Sequence, residues 1–123
     1  MIEIKNVHQK TGDSFRRWFS DNYFDLIIWY NDEKEIIGFQ LCYDIKENEK
    51  AITYSDGKFS HNKIDQGEDN PSKNRTPILV ADGIFDELKV LPKFEESAKN
   101  LENEIKEYVF RKITEYIGRK KSQ

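Results

Sequence analysis

A chain of 123 residues is the length of one domain, and its two Trp, six Tyr and eight Phe with many Ile and Leu can build a core without a disulfide or metal. Twenty Lys and Arg against 23 Asp and Glu give a net charge of -3. That balance excludes the basic excess of a dedicated duplex nucleic-acid binder and argues against nucleic acid as a partner. Cys42 is the single cysteine, the opening MIEIKNVHQK lacks an apolar leader, and the apolar run LIIWY (26–30) is far too short to span a membrane. The expectation is a soluble, cytoplasmic protein that does not use a membrane.

The first two-thirds of the chain reads as short strands. Ile2 and Ile4 alternate with Glu3 and Lys5 as in a half-buried strand, and Thr11-Gly12-Asp13 is a turn. SFRRWF (14–19) follows, ended by Ser20-Asp21-Asn22. FDLIIWY (24–30) and IIGFQLCY (36–43) are rich in β-branched and aromatic residues, and the polar NDEKE between them makes a hairpin. A turn at 46–50 leads into AITYS (51–55). Asp56-Gly57 then supplies the two positive φ angles of a type I′ turn. That register sets Ser55 opposite Lys58, Tyr54 opposite Phe59, Thr53 opposite Ser60 and Ile52 opposite His61. His61 therefore ends a strand on the apolar side of the sheet. Residues 62–76 hold one apolar residue, Ile64, and read as a long loop; Pro77 opens a last strand, ILVA (78–81).

The remainder is helical. Asp82 is placed as the N-cap of a short helix ending at Leu91, and Pro92 as the opening of a second. Phe94, Ala98, Leu101, Ile105, Tyr108, Val109, Ile113, Tyr116 and Ile117 recur at steps of three and four, and Gly118 marks a stop. A helix of about 25 residues would be roughly 37 Å long, enough for its far end to project or to pair with a second copy as a homodimer.

In the 24–43 hairpin one face carries Phe24, Leu26, Ile28, Tyr30, Ile37, Phe39, Leu41 and Tyr43, which makes it the core. The other carries Asp25, Ile27, Trp29, Ile36, Gly38, Gln40 and Cys42, too apolar to be left wholly to solvent. RRWF adds Arg16, Arg17 and Trp18, residue types enriched in binding hot spots. The binding candidates are thus Arg16, Arg17, Trp18, Trp29 and Gln40. His61 with Asp65 or Asp82 is the histidine–carboxylate pairing that a small hydrolase or nuclease would need, with a metal as an option. No zinc or calcium ligand spacing, phosphate loop or nucleophile elbow is present, so no metal or cofactor is assigned. Cys42 has no neighbouring base and reads as a small packed residue.

The run FDLIIWYNDEKEIIGFQLCYD, with RRWF before it and TPILVADG after it, resembles a small family of bacterial proteins with no assigned chemistry. The resemblance lends no functional residue. Residues 1–123 are expected to form one α+β domain, with strands within 1–81 and helices within 83–118. Its fold is a bent antiparallel meander of six or seven strands packed on a long C-terminal helix; the alternative is a pleckstrin-homology-like barrel with a helix. The leading function is an uncharacterised binding or interaction module that takes an unknown protein or small-molecule partner on the Arg/Trp surface, a binding module more than an enzyme. The alternatives are the hydrolase or nuclease centred on His61 and a weak single-stranded nucleic-acid binder using RRWF.

Overall fold

The computed structural model describes residues 1–5, 15–65, 78–81 and 85–121, with the backbone alone at 65, 78–81 and 121. The turn read at 11–13, the carboxylates Glu68 and Asp69, and Asp82 lie outside the described residues. Seven strands form one antiparallel sheet in chain order: β1 (Ile2–Ile4), β2 (Phe15–Ser20), β3 (Phe24–Tyr30), β4 (Ile36–Tyr43), β5 (Lys50–Ser55), β6 (Lys58–Asp65) and β7 (Ile78–Ala81). β1 and β7 are its edges and do not pair with each other, so the sheet is an open meander and not a barrel. Two helices follow, α1 (Glu87–Ser97) and α2 (Asn103–Lys121).

Alternation builds the core. Phe24, Leu26, Ile28 and Tyr30 are buried along β3, and Phe39, Leu41 and Tyr43 along β4. They share one cluster with Val90, Phe94, Ile105, Val109 and Ile113 from the helices. Edge-on ring contacts tie the two layers, Phe24 to Phe94 at 6.0 Å and Phe39 to Tyr108 at 6.4 Å. Turn chemistry sets the register. Asp56 and Gly57 both take positive φ (53° and 77°), and the β5–β6 pairing follows as the turn requires, with Ile52 opposite His61. In the β3–β4 turn the Asn31 side-chain oxygen accepts from the amides of Glu33 and Glu35, each at 2.9 Å.

Three local expectations of the sheet are corrected. Trp29 pairs with Gly38 but Tyr30 pairs with Ile36, so a bulge inserts Ile37 as the extra residue. Ile36 consequently packs against the core while Ile37 is exposed, the reverse of uninterrupted alternation. Ile2 and Ile4 are exposed at 74% and 40%, because Glu3 takes the helix side of the sheet to meet Arg17. β6 runs on to Asp65, paired with both β5 and β7, so the loop cannot begin at Asn62.

The helices differ too. α1 begins at N-cap Asp86, whose side chain accepts from the Lys89 amide at 3.3 Å, and it runs through Pro92 without a break. The break falls instead between Ala98 and Glu102. There Asn100 turns its side chain to β1, donating to the Met1 carbonyl at 2.6 Å, and Leu101 drops into the core. α2 then passes Gly118 and ends at Lys121. One apolar stripe is thus shared between two helices. Among the described residues no helix is long and apolar enough to cross a membrane.

Candidate binding surface

The helices cover one face of the sheet, and the face turned away from them carries the candidate surface. β2 sends Phe15, Arg17 and Phe19 to the helix side, leaving Arg16, Trp18 and Ser20 on the other. Cross-strand registers then set Ile4, Trp18, Ile27 and Gln40 in one row, with Arg16, Trp29 and Gly38 in the next. Trp18 keeps 37% of its surface exposed, and Ile2 and Ile4 flank it at the β1 edge. Ile27, Trp29, Gln40 and Cys42 are half-buried.

Gly38 shapes the middle of this face. A Cβ there would lie 3.3 Å from Cε3 of Trp29 and 2.5 Å from the Tyr54 carbonyl oxygen. The missing side chain lets the indole lie against the backbone and lets β5 approach at the bulge. The result is a low, broad surface of two indoles, isoleucines and one guanidinium.

Arg17 does different work. Its Nη2 and Nε donate to Glu3 at 2.8 and 3.0 Å, and its Nη1 and Nη2 donate to Glu102 at 3.2 and 3.1 Å. The guanidinium therefore ties the β1 edge to the start of α2. The bonds from Glu3 outweigh desolvation and hold the Arg17 charge more firmly than usual, while the same bonds hold the Glu3 carboxyl below its ordinary range. Arg17 also lines a groove of about 780 Å³ with Phe15, Tyr30, Glu104 and the 31–34 turn. Arg16 and Arg17 cannot grip one ligand together, because they stand on opposite faces.

His61 is 6% exposed, which places it in the core as its register requires. Its Nε2 shares a 2.5 Å hydrogen bond with the Tyr43 hydroxyl. The Tyr43 ring stacks on the imidazole, and Phe85 and Tyr116 approach it at 5.6 and 6.4 Å between centroids. Its ring contacts among the described residues are aromatic, and the Asp65 side chain and Asp82 lie outside the described residues. Among the described residues no three His, Cys, Asp or Glu side chains converge as a metal would require. Burial pushes the Cys42 thiol up to about 12, with Glu49 and Asp25 adding to it, so at neutral pH it stays protonated and is a poor nucleophile.

Of this surface, sequence alternation marks Trp29 and Gln40 and the residue types of RRWF mark Trp18, but neither marks Ile2 and Ile4. Arg17 carried the missing signal: a half-buried guanidinium needs a carboxylate on its own face, and in β1 only Glu3 supplies one, which turns the isoleucines outward. Comparisons with protein families, with curated proteins and with solved structures find no match for this chain.

Proposed function

We propose that this protein is an interaction module of a reducing, cytoplasmic compartment, and that it takes a macromolecular partner on the outer face of β1–β4. The observation that carries the reading is the adjacency of Ile2, Ile4 and Trp18, all exposed, on the face that the helices leave uncovered. Trp29 and Ile27 extend the apolar area inward, Arg16 sets a guanidinium beside the indoles, and Gln40 offers amide donors and an acceptor. Tryptophan and arginine at the centre of a patch are the residues through which interfaces gain most of their affinity. A broad face of exposed apolar and aromatic side chains suits a protein surface better than a small molecule.

The test is affinity capture with the full chain as bait, followed by binding measurements with the captured partner and purified variants. Trp18→Ala should weaken binding by a factor on the order of thirty, as loss of a hot-spot side chain does. Lys120→Ala, on the exposed end of α2, should leave it unchanged. Equal binding by wild type and Trp18→Ala would refute the assignment.

A further inference from the structure

The outer sheet face has a hydrogen-bonding character as well as an apolar one. Trp18 pairs with Ile27 and Trp29 with Arg16, so the two indoles stand on one diagonal of β2 and β3. Such diagonal neighbours are about 7–8 Å apart at the backbone. Trp18 is 37% exposed, and Trp29 rests on the bare backbone of Gly38, its Cε3 3.3 Å from where a Cβ would stand. Among the described residues neither indole N–H, nor the Gln40 amide group, makes a hydrogen bond. Trp29 and Gln40 are half-buried, yet these polar atoms are not enclosed by the protein. Acceptors are scarcer. Asp25 is the carboxylate that the described residues of β1–β4 turn to this face, and it already accepts from the Ser20 hydroxyl at 2.6 Å.

We propose, resting on the interaction surface assigned above, that the partner docks there through a proline-rich segment in the polyproline II conformation. Its rings pack on the two indoles, and its carbonyls accept from the indole N–H groups and the Gln40 amide. Hydrogen-bond complementarity selects this occupant. A proline-rich chain carries a carbonyl acceptor at every residue and no amide donor at proline, so it satisfies a donor-rich face and leaves no donor of its own unpaired. A helix spends its carbonyls within itself. An added β-strand needs main-chain partners, which a sheet offers at its edge and not on its face. Nucleic acid also brings acceptors, but its phosphates would approach a protein of net charge -3. Proline rings are apolar and suit the electron-rich faces of the indoles. The polyproline II helix exists before binding, so docking orders little, which a contact of two rings requires. Its turn of three residues rises about 9 Å, comparable to the indole spacing, so prolines on successive turns meet successive rings.

The test titrates the full chain with an L-proline oligomer of about ten residues, roughly 31 Å long as a polyproline II helix. Trp18 and Trp29 are the chain's only tryptophans, so tryptophan emission reports this face directly. The expected result is a saturable emission change with a dissociation constant between roughly 10 µM and 1 mM, the weak range that two rings allow. Trp18→Phe keeps a ring and removes one donor. It should weaken binding about fivefold, read from Trp29, with the melting temperature unchanged because the side chain is exposed. A glycine–serine oligomer of the same length should give no change. No saturation by oligoproline, equal binding of the glycine–serine oligomer, or oligoproline binding that Trp18→Phe leaves intact would overturn the proposal. So would saturable binding of an oligothymidylate at the indoles in place of oligoproline. If oligoproline fails while a captured partner still depends on Trp18, the docking surface stands and the proline-rich class is refuted. If the captured partner is indifferent to Trp18 as well, both readings fall.

Discussion

Arg17 donates to Glu3 and Glu102 from the residue next to Arg16, and the two side chains leave the strand in opposite directions. Their substitutions should separate accordingly. Arg17→Ala removes the tie between β1 and α2 and leaves Glu3 paired with the exposed Lys5, costing about 1–2 kcal/mol in denaturant unfolding and loosening the edge that turns Ile2 and Ile4 outward. Arg16→Ala should weaken partner binding and cost less in unfolding than Arg17→Ala does. A stability loss at Arg16 with none at Arg17 would contradict the split. The carboxyls of Glu3 and Asp21 predict the response to acid. Arg17 holds Glu3 low; at Asp21 burial pushes upward but is outweighed by the amides of Phe24 and Tyr23, at 2.7 and 2.8 Å. Both folded values lie below the unfolded ones, so their contribution is complete above about pH 4.5 and is lost as pH falls through the folded values. Melting temperature should hold steady between about pH 7 and 5 and decline below about 4, and Glu3→Gln with Asp21→Asn should flatten that decline. An unchanged acid slope in the double variant would refute the assignment.

At the scale of elements, what was legible depended on how local the determinant was. The Asp56-Gly57 turn dictates its own backbone, so the whole β5–β6 register followed from two residues. The bulge at Ile37 did not, because it answers a contact from another strand: β5 brings the Tyr54 carbonyl to where a Cβ on residue 38 would stand. Gly38→Ala should therefore lower stability by about 2 kcal/mol in thermal or denaturant unfolding, as an overpacked site does, and should disturb the Trp29 indole. A neutral Gly38→Ala would show that β5 yields at no cost. The helix break was hidden for a similar reason. The apolar stripe is continuous across it, and what stops α1 is Asn100 reaching β1, a partner 99 residues away in sequence. Pro92, a helix boundary by local rules, is carried inside α1 because Val90 and Phe94 on either side of it are both buried in the core.

The whole molecule is an open meander with a helical hairpin on one side and apolar, aromatic side chains on the other. Strands adjacent in sequence are adjacent in space throughout, and this made the architecture readable from periodicity and turns. The candidate surface was only partly readable. Trp29 and Gln40 follow from alternation and Trp18 from the residue types of RRWF, while the outward turn of Ile2 and Ile4 depends on the ion pairs of the sheet edge. The claim that function resides on the uncovered sheet face is tested most directly by titrating the nitrogen-labelled chain with indole and with phenol and following each amide in two-dimensional NMR spectra. The account predicts that shifts concentrate at Ile4, the Trp18 indole N–H, Ile27, Trp29 and Gln40. Shifts confined to the groove of Phe15, Arg17, Tyr30 and Glu104, with none on the sheet face, would contradict it.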